Sequence, residues 1–511
     1  MNRLETVARV LLGAACAYLL VLLAYTTLSR IRFPYELEWL EGWTVESVRR
    51  VLAGKSLFVA PSVEWIPYPY TPLYTYSSAA LASLIGVGFL APRLVSLASA
   101  VGCLGLTFLL VRRETGSAFC GLAGAGFLAG TYPLSGAWFD IGRVDNLFLF
   151  FLLAAFLLVR SGDSIRHSAL AGVMMGLAYL TKQTALLPLA SLTLYVMFEQ
   201  SGWRRFALPA VSGTIIAGTT LFFSLLTGGW YFFYTVRVPN GHGLGQEAML
   251  AGFWRDDIGW TLAPAVAMGL VHLSRALRDA WGGRASGFVF YSTLTVGMLG
   301  ASWISRLHGG GWLNVLQPAH AMLAILFGLA LHDAGTARGR WQPAGLALYA
   351  VAALQLRLLA YDPARHIPTP QDVRDGDAFV AALRALPGEV YTPMHGYLPI
   401  LAGKVGFAHD GYLLTTLQSG IPSVIETLVP AFQEAFARER FSAVVIDYED
   451  YRFIETLRAH YRYAGPLPGS FRPRVGPRGA PQRLYLRRTA PAASAGDAPS
   501  IPFARPSSMR R

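Results

Sequence analysis

The stretch FPYELEWLEGWTVESVRRVLAGKSLFVAPSVEWIPYPYTP, residues 33 to 72, separates one apolar run at the N-terminus from a long series of apolar runs after it. It places Glu36, Glu38 and Glu41 within six positions, flanked by Trp39 and Trp43, in a chain that is only 14% charged. Carboxylates this dense have two readings. One is a solvated acidic loop that caps the helix TVESVRRVLAG, whose N-terminal dipole favours negative charge nearby. The other is a general base for an acceptor hydroxyl, held where partial dryness preserves its basicity. Glu38 and Glu41 are the candidates, and the residues alone leave the two readings level.

The sequence around this stretch fixes the class. The 511 residues are 53% hydrophobic, with mean hydropathy +0.41, and the apolar residues fall in runs of about 18 to 22, the length of a membrane-crossing helix. Spans are predicted over 7–28, 91–111, 117–135, 146–160, 167–181, 183–198, 207–227, 259–274, 286–304, 318–332 and 342–360, an all-α polytopic membrane protein of about eleven helices. No small-residue cleavage site follows the first run, so it reads as a retained span. Cys16, Cys103 and Cys120 all lie in apolar runs, which gives no disulfide framework.

The net charge of +13 is spread over short loops and the C-terminal tail. That is the pattern of membrane topology and not of nucleic-acid binding. With the N-terminus cytoplasmic, the loops at 112–116, 160–167, 199–206, 275–284 and 332–341 face inward, and each holds at least two basic residues. The segment 72–90 is apolar enough to cross, but counting it would reverse every later loop. It therefore reads as an interfacial helix within a long first outer loop, residues 29–90. The outer face then gathers this loop, the corner GAWFDIGRVDN (136–146), Lys182, the loop 227–259 and SRLHGGGWLN (305–314).

Past Ala360 the character changes. Pro363, Pro368 and Pro370 mark a linker that closes a transmembrane domain over 1–360. Residues 361–488 alternate the helix AFVAALRAL, the strand EVYTP, the helix SVIETLVPAFQEAFARERF and the strand AVVIDY, a small α/β domain on the outer face. His395 in YTPMHGY, and His409 with Asp410 in GFAHDGY, either face the membrane site or are surface-loop residues of that domain, and the second is the favoured reading. Residues 489–511, rich in Ala, Pro and Ser, are expected to be a disordered tail.

Further outer-face residues have the right chemistry for an anionic or polyhydroxyl substrate. Arg93 opens the second span, and Arg143 lies between Asp140 and Asp145 at the corner. Lys182 interrupts an apolar stretch at a tight turn. Such cations suit a lipid phosphate just outside the hydrocarbon. An ion-pair brace between helices and a snorkelling lysine are the plainer alternatives. His242 and His308 are isolated and lack metal-ligand spacing, so no metal site is assigned. HGGGW lacks the Lys-Ser/Thr of a phosphate-cradling loop, and no nucleophile elbow, H-E-x-x-H or C-x-x-C occurs. Hydrolase and redox readings lose their usual supports.

The order of a first span, an acidic loop with LEWLEG, a helix ending in glycine, YPYTPLYTY and the Arg-led PRLVS resembles the C-type membrane glycosyltransferases. The likeness is to the branch of protein O-mannosyltransferases and the lipid A aminoarabinose transferase. GRVDNLFLF and LAYLTKQTALL resemble the same branch, so the likeness extends over roughly residues 1–330. It implies transfer of a sugar, with inversion, from a polyprenyl phosphate donor to a lipid, glycan or protein hydroxyl at the outer face of the cytoplasmic membrane. A first-loop carboxylate is the expected base, often in an Asp-Glu pair. Here Leu40 precedes Glu41, which leaves Glu38 and Glu41 both eligible. Arg93, Arg143 and Lys182 are then expected on the donor phosphate, and Asp140, Asp145, Tyr70, His308 and Asn314 on the substrate. No cofactor is required, and a divalent metal is compatible. A lipid-linked substrate transporter is the alternative, but its usual mid-membrane charges and paired broken helices are not evident.

Overall fold

The computed structural model of the chain describes residues 3–243, 247–283, 287–337, 342–469, 471–476 and 479–488. The tail predicted over 489–511 lies outside the described residues. Each predicted span contains a helix among the described residues, although 117–135 ends in turns after Gly130 and 259–274 becomes α-helical only from Ala263. In chain order the helices of the first half are α1 (Arg3–Arg30), α2 (Glu41–Leu52), α3 (Leu73–Ile85), α4 (Leu90–Thr115), α5 (Ala118–Gly130), α6 (Asp145–Ser161), α7 (Ile165–Thr181), α8 (Leu186–Glu199) and α9 (Arg204–Leu226). The short turns α10 (Trp230–Phe232), α11 (Val238–Gly241) and α12 (Met249–Gly252) lead into α13 (Ala263–Trp281), α14 (Phe288–Leu307), α15 (Gln317–Thr336) and α16 (Gln342–Leu358).

Six segments are long and apolar enough to cross a membrane by themselves: Arg3–Arg30, Leu90–Thr115, Arg204–Leu226, Phe288–Leu307, Leu313–Thr336 and Gln342–Arg365. The helices α5, α6, α7 and α8 are shorter than the roughly 20 residues that a full span needs. α3 has 13 residues, about 20 Å at ~1.5 Å per residue. That is well short of the hydrocarbon thickness, and its neighbours keep it beside the first loop.

The Leu313–Thr336 segment is the hub, with 94% of its apolar window buried. It packs against α4, α5, α13, α14 and α16, as a helix apolar on all sides should. α1 lies on α5 through small residues: a Cβ at Gly126 would meet Cys16, so only glycine allows the two backbones to approach this closely. Around this bundle the outer segments are tied in by Arg30, which is completely buried at the end of α1 and donates to the Ala137 and His366 carbonyls.

The C-terminal part is α/β. It contains α17 (Pro370–Ala385), β1 (Val390–Tyr391), α18 (Leu398–Leu401), α19 (Asp410–Gln418), α20 (Pro422–Ala437), β2 (Ala443–Ile446), α21 (Ile454–His460), β3 (Tyr461–Pro466) and β4 (Arg483–Arg487). The sheet order is β1-β2-β4-β3, parallel between β1 and β2 and antiparallel elsewhere. α17 starts eight residues before the predicted helix because Thr369 and Asp372 form a capping box with Pro370 at the first helical position. β3 and β4 were not foreseen in the sequence; β3 has only one fully buried position and little apolar signal.

Candidate functional site

Glu36, Glu38 and Glu41 are all fully buried, so the solvated-loop reading of residues 33–41 does not hold. Their surroundings differ. Glu41 begins α2 and meets Arg93 of α4 in a two-point ion pair, with Nε and Nη2 each 2.7 Å from a carboxylate oxygen. Its oxygens also accept from the Leu37 and Gly142 backbone N–H groups, both at 2.9 Å. Arg93 spends its remaining donors on the Phe33 and Tyr35 carbonyls at 2.5 and 2.6 Å. Together they pin the first loop, the corner and α4 to one another. A carboxylate whose two oxygens are both taken by donors is committed to the brace, and a guanidinium with this many acceptors has no donor left for a phosphate.

Glu38 is free where Glu41 is not. One oxygen accepts from the Leu40 N–H at 3.2 Å and lies 4.0 Å from Arg143 Nη1. The other, Oε1, is buried with no hydrogen-bond partner among the described residues. Burial pushes its carboxyl up to about 8, against the opposing pull of Arg143 and the Leu40 amide. Arg143 sits between the Tyr68 and Trp138 rings, 5.1 and 5.2 Å from their centroids. Its Nε and Nη1 are likewise buried without hydrogen bonds. Unsatisfied groups of opposite charge in one enclosed place are rare in a settled interior. They point to a site built for a ligand.

The corner carboxylates also separate. Asp140 takes a two-point pair from Arg30 at 2.6 and 2.7 Å, plus the Tyr132 hydroxyl at 3.1 Å, and is spent on that brace. Asp145, at the start of α6, receives Lys182 Nζ at 2.7 Å and Asn314 Nδ2 at 2.9 Å on one oxygen, and its Oδ2 has no hydrogen-bond partner among the described residues. Lys182 is the extended residue that ends α7 before a 3-10 turn into α8, the tight turn expected from the sequence. Its ammonium lies 5.7 Å from the Tyr70 ring centroid. Tyr70 packs edge-on against Tyr68 at 4.6 Å, which carries the Asp145–Lys182–Asn314 group to the Arg143 side. His308 stands apart, 5.8 Å from the ring of His242, whose Nε2 lies 2.6 Å from the Thr415 carbonyl.

His395 and His409 are completely buried, which corrects the surface-loop reading. His395 Nδ1 lies 2.5 Å from Glu36 Oε2 and its Nε2 2.9 Å from Asp447 Oδ2, so it bridges the first loop to β2's end across 359 residues. Burial alone would lower its ring, but Asp447 and Glu36 outweigh it and lift it to about 10. A Cβ on Gly42 would collide with Glu36, so glycine is what lets α2 pass this close. His409 caps α19: its Nδ1 accepts from the Gly411 N–H at 3.0 Å, which leaves Nε2 to donate to Met394 at 2.8 Å. Burial keeps it neutral, at about 3. A segment of residues 471–476 closes over the loop, with Val475 donating to the Leu37 carbonyl at 2.9 Å. Sequence reasoning also missed Tyr412 of α19, which reaches the Glu38–Arg143 cluster. No sequence signal marks these contacts, because each partner lies hundreds of residues away.

Among the described residues, no three His, Cys, Asp or Glu side chains converge as metal ligands would.

Comparison with known proteins agrees with this architecture. Residues 69–227 match the family described as dolichyl-phosphate-mannose-protein mannosyltransferase. No curated protein sequence matches the chain. The structure is similar to that of ArnT from Cupriavidus metallidurans bound to undecaprenyl phosphate, with TM-score 0.54 and 15% identity over 91% of this chain and 97% of that one. It is also similar to the mycobacterial arabinofuranosyltransferase AftD, with TM-score 0.50 and 13% identity over 92% of this chain and 40% of that one. The apo oligosaccharyltransferase of Archaeoglobus fulgidus gives TM-score 0.50 and 11% identity over 87% and 73%. These are C-type membrane glycosyltransferases, and the chain shares their fold.

Proposed function

We propose that the chain is a membrane glycosyltransferase that moves a sugar from a polyprenyl phosphate donor to an acceptor hydroxyl, with inversion and with Glu38 as the general base. The observation that carries this reading is the pair formed by Glu38 and Arg143: a buried carboxylate with an uncommitted oxygen beside a buried guanidinium with uncommitted donors. The solved relatives' lipid phosphate ligand fits the same chemistry.

The step balances as follows. The acceptor oxygen attacks the anomeric carbon from the face opposite the phosphate. The bond from that carbon to the phosphate oxygen breaks, and its electron pair stays on the leaving polyprenyl phosphate. The acceptor's proton passes to Glu38, which its dry surroundings make a strong base once ionised. Arg143 and Lys182 stabilise the charge that grows on the departing oxygen. The carboxylate of Asp145 orients Lys182, and Asn314 and Tyr70 complete that wall. The geometry parallels inverting glycosidases, with a hydroxyl in place of water.

In this reading Glu41, Arg93 and Asp140 are braces that preorganise the site, and His308 lies outside it. About eleven helical segments then belong to the cytoplasmic membrane, the short α5 to α8 held within the bundle and not as free-standing spans, with the N-terminus cytoplasmic, residues 29–90 the first outer loop and the domain over 361–488 extracytoplasmic. The scheme routes no step through a cofactor, and a divalent cation is compatible with it. Proteoliposomes supplied with undecaprenyl-phosphate sugars test the reading: release of undecaprenyl phosphate coupled to acceptor glycosylation is expected. Intact donor, or donor that crosses the bilayer unchanged, contradicts it and favours transport.

A further inference from the structure

Tyr412 comes from the C-terminal α/β part, in α19, yet its ring packs edge-on against Tyr68 of the first loop with centroids 4.9 Å apart. Tyr68 in turn lies under the Arg143 guanidinium. Tyr412 is 3% exposed; the phenolic oxygens of both tyrosines are buried, that of Tyr68 without a hydrogen-bond partner among the described residues and that of Tyr412 turned to the Arg143 guanidinium. Tyr412 is also within electrostatic reach of Arg143 and Glu38. A buried phenol normally finds a partner, because an unmade bond costs about 1–3 kcal/mol. Two buried phenols together, next to an unsatisfied guanidinium and an unsatisfied carboxylate, are hard to explain as packing. His409 and Trp39 hold α19 in this position, with ring centroids 5.1 Å apart.

We infer that the Tyr68 and Tyr412 hydroxyls form a subsite for the hydroxyl groups of the donor's sugar ring, and that the C-terminal part is thereby a component of the active site. The inference rests on the transferase reading above and adds to it the residues that read the sugar. Phenols donate and accept, as sugar hydroxyls do, so each can satisfy one or two ring hydroxyls whatever their orientation. The aromatic faces of Tyr68 and Tyr70 offer the apolar surface that the C–H side of a sugar ring needs. Arg143 lies over the Tyr68 ring and 4.0 Å from Glu38, so a sugar held by the phenols would share one enclosure with the proposed base. The C-terminal part then supplies Tyr412, and the first loop supplies Tyr68, so the site is complete only when the two are docked through Glu36, His395 and Asp447.

The test compares the full chain with its Tyr412→Phe and Tyr68→Phe variants in nanodiscs. Turnover is measured on undecaprenyl-phosphate mannose, glucose and arabinose, and affinity on sugar-free undecaprenyl phosphate. For the donor that the wild type uses, Tyr412→Phe raises KM about three- to tenfold, as loss of one hydrogen bond does. Affinity for the sugar-free lipid stays within about twofold. The melting temperature of Tyr68→Phe is unchanged or higher, because its hydroxyl makes no bond with the described residues of the free protein, whereas a structural tyrosine would lower it. Unaltered donor KM in both variants, or an equal loss for both lipids, overturns the subsite while leaving the transferase reading intact. Failure of the wild type to consume any of the three donors overturns both.

Discussion

Glu41 and Arg93 hold each other in a two-point ion pair, both completely buried, while Glu38 three residues earlier keeps an oxygen that nothing in the described structure satisfies. The neighbouring carboxylates of one loop therefore do different work. Glu41 is fixed by the donors around it and braces the fold; Glu38 is left with capacity to spare, which is why it is the proposed base.

Breaking the Glu41–Arg93 pair should be felt as instability first. Glu41→Gln or Arg93→Met leaves the other partner buried without its counter-charge, at a cost of about 3–5 kcal/mol. Thermal unfolding in detergent measures this. The double variant should recover part of the loss, since neither charge then remains unpaired, and a strictly additive loss would argue against the pair as a brace.

The rate should climb with pH as Glu38 ionises. In the free protein its carboxyl is raised to about 8, so kcat/KM rises through that pH, and the rise is absent from residual turnover in Glu38→Gln. The same shift sets a stability slope of known sign. Because the folded value is raised above the unfolded one, near 4.5, the group's contribution is full below about 4.5 and fades as pH rises through about 8. Glu38→Gln should accordingly be more stable than wild type in alkaline buffer.

His395 should fasten the C-terminal part to the first loop. His395→Gln removes the charged bridge between Glu36 and Asp447 and leaves two buried carboxylates facing each other, which costs several kcal/mol and exposes the 359–369 linker to protease. The ring is raised to about 10. Its contribution is therefore complete below about 6.5 and lost as pH rises through about 10, and wild-type proteolysis at that linker should accelerate over the same interval.

Lys182 should matter for the donor as well as for the buried pair it makes with Asp145, so its variant is compared at a temperature where it is folded. Lys182→Ala is expected to weaken binding of sugar-free undecaprenyl phosphate by about tenfold or more, since a charge-assisted bond to phosphate is worth roughly twice a neutral one. Asn314→Ala, which loosens Asp145 without removing a charge, should give a smaller loss in the same assay. Equal binding in wild type and Lys182→Ala would remove this residue from the phosphate site.

The bundle was legible because apolar runs leave little choice: each one from 7–28 to 342–360 became a helix near its expected place. The 72–90 segment was assigned to the interface by charge in the flanking loops; it holds the 13-residue helix α3. The corner and Lys182 stood out in the sequence because charge beside an apolar span has to be accounted for. What could not be read was the sorting of those charges. Glu38 and Glu41 look alike in the sequence, and only the approach of Arg93, 52 residues on, and of the Gly142 amide separates them. Asp140 and Asp145 divide the same way, one drawn to Arg30 and the other to Lys182. Glu36 seemed incidental and His395 peripheral because their contact spans 359 residues. Pairings of that kind are set by tertiary packing and leave no local pattern.

The most direct test of the central claim is the release of undecaprenyl phosphate from its sugar-linked form by reconstituted wild type, Glu38→Gln and Glu41→Gln, each checked to be folded at the assay temperature. Loss of the base predicts a fall of about 10²–10⁴-fold for Glu38→Gln, with folded Glu41→Gln retaining turnover well above that level. Glu38→Gln releasing lipid phosphate at the wild-type rate, or folded Glu41→Gln being the inactive one, would contradict the account.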